Sequence, residues 1–306
     1  MKKKKISTFD LFIYVFMILL LFIVVYPLYY TVIASFSDAN AVASGRVKWW
    51  PVGFSTLAYQ HVFANESIWR GYANTIYYTV LGTMFNLFLT IPAAYVLSKK
   101  QLPGRNVIMT FFMITMYFGG GMVPSYLLTK NLGLLNTRLV LIISAGLSIY
   151  NLIVSRTFFS TNISESLYEA AEVDGASEFK KMLAIAIPLS KPIIAVMALY
   201  YSVAHWNSYF TALLYVADKK LEPLQSVLRR ILMLNENALD EAIFEAEYAT
   251  SIAEAQEIIS AAASRAYLAY TMKYAVVFIA SAPLLIAYPF VQKYFVKGTM
   301  IGAVKE

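Results

Sequence analysis

The 306-residue chain has no cysteine, which excludes a disulfide framework and a thiolate metal site and leaves the redox compartment open. Histidine is nearly as scarce, with His61 and His205 the only two. His205 lies in an apolar run with no carboxylate to orient it, and no His-x-x-x-His or paired aspartate offers a metal site. No catalytic constellation can therefore be assembled. A G-x-x-x-x-G-K-[ST] loop is missing too, so nothing here cradles ATP phosphates by that route; the glycines at 119–121 are a run at the end of an apolar stretch. Charged residues make up only 14%, and the net charge of +7 comes from Lys and Arg flanking long apolar runs rather than from a nucleic-acid stripe.

What remains is hydrophobic: 59% apolar residues, 15% aromatics and a mean hydropathy of +0.60 exceed what a soluble domain of this size can bury. Six stretches reach the ~20 apolar residues that a helix needs to cross hydrocarbon: 11–35, 73–97, 107–128, 139–157, 193–216 and 268–290. All call for helices, because lipid leaves no unpaired backbone tolerable and the alternation of a barrel strand is absent. The first run follows Lys2–Lys5 but is too long for a signal h-region of ~7–15 residues. Pro27, Pro92, Pro283 and Pro289 sit in or beside these spans, as ordinary kink positions.

Basic loops stay in the cytoplasm. Lys2–Lys5, Lys99, Lys100, Arg105, Arg156, Lys180, Lys181, Lys191, Lys293, Lys297 and Lys305 all fall on one side of a six-span layout. Both termini are therefore expected in the cytoplasm, with residues 36–72, 118–138 and 217–267 outside. The sequence reads as a single membrane domain, 1–306, in a bacterial cytoplasmic membrane. Within 217–267, Leu224–Leu234 and about Leu239–Ala263 read as two amphipathic helices, the second bearing Asp240, Glu241, Glu245, Glu247, Glu254 and Glu257. That acidic face suits either a docking partner or plain solvation. Trp49 and Trp50 are likewise a docking contact or an interface anchor.

The most informative stretch is polar and lies between spans four and five, at 160–191. Ser164 or Ser166 can cap a helix, with Ser166-x-x-Glu169 matching a capping box. Gly175 would end it, and a second helix runs from about Ser177 to Pro188. The expectation is a cytoplasmic helix-turn-helix with Leu167, Ala170, Ala171 and Val173 on a small apolar face, and with Lys180 and Lys181 wet. An amphipathic loop against lipid headgroups is the alternative, disfavoured by four acids in the first helix.

Glu169-Ala170-Ala171, Gly175 and Ile185-Ala186-Ile187-Pro188 resemble the E-A-A, G, I-x-L-P signature of permease subunits of binding-protein-dependent ABC importers. Ile187 replaces the usual leucine. KWWPVGFSTLAYQHVF from Lys48, SIWRGYANTIYYTV from Ser67 and the tail from Tyr288 are similar to the carbohydrate-uptake branch, the tail especially to permeases for complex oligosaccharides. The resemblance implies an all-α, type I permease fold and an ATPase-coupling role for Glu169, Ala170, Ala171, Gly175, Ile185 and Pro188. It also implies a tail contact to the ATPase through Lys297, Gly298 and Gly302. Its implied partners are a second, non-identical permease, two ATPase subunits that hold ATP and Mg, and an extracytoplasmic binding protein that delivers an oligosaccharide.

Trp206, Asn207 and Tyr209, with Asn86, are candidates for lining the path, because sugars need aromatic faces with hydrogen-bonding tips. Packing and hydrogen bonding between helices explains the same residues, and Asn151, equally well. A polytopic scaffold or lipid-processing enzyme with a docking hairpin would share the helices, and an importer of a non-sugar solute would share the motif.

Overall fold

The apolar run near the N-terminus folds as one helix, α1 (Thr8–Ser35), in a computed structural model that describes residues 7–144, 146–248 and 251–301. A capping box starts it: Ser7 Oγ accepts from Phe9 N, and Ser7 N donates to Asp10 Oδ2 at 3.0 Å. Apolar side chains from Phe9 to Val25 are exposed around the whole circumference, the pattern of a helix meant for lipid. Two short helices follow, α2 (Ala39–Ala43) and α3 (Leu57–Ala64). Trp49 packs its ring 5.0 Å from that of Tyr26 on α1, and the Tyr26 hydroxyl donates to Lys48 O at 3.1 Å. Trp49 thus anchors the loop to α1, while Trp50 is exposed.

The chain divides into two compact units, Met1–Ile68 with Leu228–Ala282, and Trp69–Val227 with Pro283–Glu306. The second unit is built on α4 (Glu66–Ser98), whose Thr75, Tyr78, Asn86, Thr90 and Ala94 are fully buried. Further along come α5 (Arg105–Tyr117), α6 (Met122–Asn131), α7 (Arg138–Ile143) and α8 (Ile149–Asn162). A hairpin of α9 (Glu165–Val173) and α10 (Glu178–Lys181) continues through a π-turn (Met182–Ala186) into α11 (Ile187–Leu189). Then α12 (Lys191–Trp206) and α13 (Tyr209–Tyr215) precede two long helices, α14 (Leu224–Glu247) and α15 (Ile252–Ile301).

Among the described residues three helices are long and apolar enough to cross a membrane, within Thr8–Ser35, Glu66–Ser98 and Ile252–Ile286, and the number rises to five if each of two bent pairs is one span. The protein is thus a multi-pass, all-α membrane protein. Several expected spans are not continuous helices. The run 107–128 breaks between α5 and α6 with a bend of 111°, at Gly119–Gly121, where Gly121 takes φ +85° and no side chain favours the helical path. The run 139–157 is divided between α7 and α8. In 193–216 the break falls at Asn207 and Ser208: Ser208 N and Oγ both donate to His205 O, the carbonyl that Tyr209 N would take in a continuing helix, and Tyr209 N donates to Asn207 O instead.

The four prolines at 27, 92, 283 and 289 all lie inside helices without ending them. The second amphipathic helix expected at 239–263 does not form as one piece, its halves belonging to α14 and α15. Glu245, Glu254 and Glu257 are exposed, and the side chains of Asp240, Glu241 and Glu247 lie outside the described set.

Candidate functional site

Polar side chains of α4 are the starting point, because an amide or hydroxyl at membrane depth must find a partner inside the protein. Three successive partners lie on α12: Thr83 Oγ1 is 3.1 Å from Ser202 Oγ, Asn86 Oδ1 is 2.7 Å from His205 Nε2, and Thr90 Oγ1 is 2.7 Å from the Tyr201 hydroxyl. Asn86 also donates through Nδ2 to Gly146 O at 2.9 Å. A carbonyl only accepts, so the amide nitrogen must face Gly146 and the amide oxygen His205. It follows that His205 carries its proton on Nε2. The helices come this close because residue 82 is glycine: a Cβ there would stand 2.3 Å from His205 Cε1.

Beside this pair is a cavity of about 430 Å³ lined by Asn86, Asn151, Tyr200, Tyr201, His205 and Asn207 among others, with no carboxylate, ammonium or guanidinium in its lining. Of the path candidates, Asn86 and Asn207 line it. Trp206 is buried edge-to-face against Tyr72, with ring centroids 5.8 Å apart, and Tyr209 lies edge-to-face with Phe210 at 6.3 Å; neither lines the cavity.

The hairpin is the second centre. α9 begins after Ser164, and no side-chain cap bond forms there; Ser164 Oγ instead pairs with Ser166 Oγ at 2.7 Å, so the capping box expected at Ser166 and Glu169 is not made. The helix ends in a Schellman turn, with Gly175 N donating to Glu172 O and Ala176 N to Ala171 O, both at 2.9 Å, around Gly175 at φ +74°. Ser177 Oγ then caps α10 by accepting from Lys180 N. The π-turn follows because Pro188 lacks an N–H and its ring would strike the carbonyl four residues back. Ile187 N instead donates five residues back, to Met182 O. At Ser190 the direction changes by 81° into α12.

Leu167, Ala170, Val173 and Phe179 are exposed, Ala171 and Ile185 half-buried, and Glu169, Gly175 and Pro188 exposed. Lys297 and Gly298 fall within α15 with side chains outside the described set, and Gly302 lies outside the described residues.

Lys181 is not wet. It is 4% exposed, its Nζ 3.0 Å from Glu172 Oε2 and 2.6 Å from Glu178 Oε1. Glu178 Oε2 accepts from the Tyr95 hydroxyl at 3.1 Å. Tyr95 packs edge-to-face with Tyr168 and Phe159, and Lys99 Nζ stands 3.0 Å above the Tyr168 ring. Burial pushes the Tyr168 hydroxyl up to about 12, with Glu165 and Glu178 adding to it, and burial lowers Lys99 against the pull of Glu178. Tyr95, Tyr168 and Glu178 did not stand out from the sequence, and Lys99 and Lys181 did so only as basic residues of the cytoplasmic side. The i,i+3 spacing of Glu178 and Lys181 was the one local signal.

The hydrogen bond from Lys181 is the main cause that holds Glu178 below its ordinary 4.5, and the bonds to Glu178 and Glu172 raise Lys181 above 10.5. A depressed carboxylate contributes stability above its unfolded value and loses it as pH falls through the folded value. A raised ammonium contributes below its unfolded value and loses it as pH rises through the folded one. We expect the wild-type melting temperature to exceed that of Glu178→Gln by a constant margin at neutral pH. The margin should shrink below pH 4.5 and again above pH 10.5. A margin that keeps its size at pH 3 would show that the pair holds nothing.

A helix apolar enough to cross a membrane, hydrogen-bonded to a second helix beside a polar cavity, with an exposed hairpin leading into that second helix, fits a membrane transport subunit. Residues 67–300 match the family described as binding-protein-dependent transport system inner membrane component, and the chain belongs to it. It is a non-catalytic permease subunit of a binding-protein-dependent ABC importer, a complex that in this family also comprises an ATPase and a substrate-binding protein. It is similar to the polygalacturonan/rhamnogalacturonan transport system permease protein YtcP of Bacillus subtilis, with 35% identity over 97% of this chain and 98% of that one. Protein LplC of the same organism is 38% identical over 92% of this chain and 90% of its own length. A crystal structure of a bacterial ABC transporter involved in the import of the acidic polysaccharide alginate has a chain that matches with a TM-score of 0.80 and 32% identity. The match covers 96% of this chain and 99% of that one.

Proposed function

We propose that the chain forms one half of the translocation pathway of an oligosaccharide importer, paired with a second, non-identical permease and resting on two ATPase subunits. The observation that carries this reading is the hairpin: the motif residues fold as two short helices around the Gly175 turn, with Leu167, Val173 and Phe179 exposed, a surface that a partner cleft would cover. Glu169, Ala170, Ala171, Gly175, Ile185 and Pro188 are the coupling residues, and the tail with Lys297, Gly298 and Gly302 is a second ATPase contact. Residues 1–306 act as one permease domain of six spans, at about 11–35, 73–97, 107–128, 139–157, 193–216 and 268–290, with both termini in the cytoplasm, as the distribution of apolar runs and of Lys and Arg favours.

Asn86 and Asn207, flanked by Trp206 and Tyr209, lie along the path, where neutral amides and aromatic faces suit sugar hydroxyls and ring faces. The names of the relatives favour oligomers of an acidic polysaccharide. Alternating access would come from ATPase closure moving the hairpin, with the binding protein releasing sugar at the outer gate.

Purification of the native complex in mild detergent through an external tag, followed by mass spectrometry, should recover one different permease and two ATPase copies. The complex with its binding protein should then take up oligogalacturonides. Recovery of this chain without any nucleotide-binding partner after crosslinking would end the reading.

A further inference from the structure

Both ends of the hairpin leave helical geometry. On one side Ile163 and Ser164 are extended at φ −115° and φ −64°; on the other Ser190, at φ −98° and ψ 12°, carries the 81° turn into α12. A push on the exposed face could rotate the hairpin about these two ends and move little else, unless lateral ties hold it to its neighbours.

Ile163, Tyr168, Met182 and Ala186 share an apolar cluster with Ile91, Ala94 and Leu97 of α4, a contact without fixed register, and the directional ties beside it converge on Lys181. Its ammonium is 4% exposed, whereas the two carboxylates that it bridges are 74% and 66% exposed, so the cation points inward and draws a carboxylate from each limb of the hairpin. Glu178 passes the tie to α4 by accepting from Tyr95. Around that bond the rings of Tyr168 and Phe159 meet Tyr95 edge-to-face at 5.9 and 6.0 Å. Asn86 lies nine residues earlier on the same helix, about 14 Å along its axis at 1.5 Å per residue.

We infer that Lys181 and Tyr95 are positioning residues that fasten the hairpin to α4, making α4 a second rod beside α12 that carries ATPase closure to the Asn86–His205 pair. This deepens the proposed function and rests on its assumption that the ATPase docks on the hairpin. The connections form a closed loop. The hairpin runs by chain into α12, α12 presents His205 to Asn86, and α4 returns from Asn86 to Tyr95 and the hairpin. A frame tied at both ends moves as a unit, whereas one open at Lys181 lets α12 slide past α4 and puts the strain on the Thr83–Ser202, Asn86–His205 and Thr90–Tyr201 bonds between them. The tie is also hard to replace: an ammonium out of water with one carboxylate removed keeps its desolvation cost and loses its compensation.

The absence of cysteine allows clean labelling. Spin labels at Lys180→Cys on α10 and Val96→Cys on α4, both exposed positions, would report the hairpin-to-α4 distance in the full importer with cysteine-free ATPases. With Lys181 intact, the distribution should be the same in the nucleotide-free and ATP–vanadate-trapped states. Lys181→Met should shift or broaden it beyond the wild-type width in the trapped state, and Lys181→Arg should restore it. Should Lys181→Met fail to assemble, Tyr95→Phe removes only a hydroxyl and should give a smaller shift of the same kind. The inference is overturned if the wild-type distance itself changes on trapping, or if Lys181→Met and Tyr95→Phe both match wild type in both states. If no ATPase assembles with the chain at all, the proposed function falls instead.

Discussion

Gly82→Ala should destabilise the purified protein more than any other single-methyl addition to α4. The added Cβ would lie 2.3 Å from His205 Cε1, 2.4 Å from Nε2 and 2.7 Å from Nδ1. The imidazole is buried on α12 and cannot swing clear as the end of a flexible chain would. Overpacking of this kind costs about 1–3 kcal/mol. Displacing the ring also breaks the 2.7 Å bond between His205 Nε2 and Asn86 Oδ1, and a hydrogen bond of this kind is worth about 0.5–1.5 kcal/mol. The check is thermal unfolding in detergent together with transport, both of which should fall sharply. The partner substitution distinguishes this cause from a general helix defect: His205→Ala in the same chain opens the space and should recover part of the lost melting temperature. If Gly82→Ala melts as wild type does, the close crossing of α4 and α12 is wrong.

The second large effect is expected at Gly175→Leu, for a different physical reason. A Cβ at Gly175 meets nothing within 4 Å, so the cost is in the backbone: φ is +74°, and an L-residue there pays ~1–2 kcal/mol. The chain relieves this by leaving the left-handed turn, which breaks the bonds from Gly175 to Glu172 and from Ala176 to Ala171 and releases α10 from α9. Lys181 then loses Glu172. A penalty of that size means roughly 5–30-fold fewer molecules with the native hairpin. Transport should drop accordingly while membrane insertion stays normal. Gly175→Asn should lose much less, because Asn visits that region more easily. Sugar-dependent ATPase activity at the wild-type level in Gly175→Leu would show that the turn does not couple.

These two glycines differ in how far the sequence announced them. Gly175 sits at a fixed offset from Glu169-Ala170-Ala171, between a polar helical pattern and Ser177, and local chemistry alone places a turn there. Gly82 lies unmarked in an apolar run, and its meaning depends on a histidine far along the chain that packs over it. The same contrast holds for charge. Lys180 and Lys181 are adjacent and chemically identical in sequence, yet Lys180 is exposed and Lys181 buried between two carboxylates. Helix phase and the neighbouring α4 make that choice, and neither is a property of the dipeptide.

Membrane residence, helical class, the hairpin and its turn were readable from composition and short-range spacing, because lipid forbids unpaired backbone and a left-handed turn selects glycine whatever surrounds it. The breaks within 107–128, 139–157 and 193–216, the π-turn before Pro188, the Asn86–His205 pair and the burial of Lys181 emerged only on folding. The Asn86–His205 pair joins groups 119 residues apart and leaves no periodic trace in the chain, while the breaks, the π-turn and the burial of Lys181 rest on nearby residues whose local options only the packed neighbours decide between.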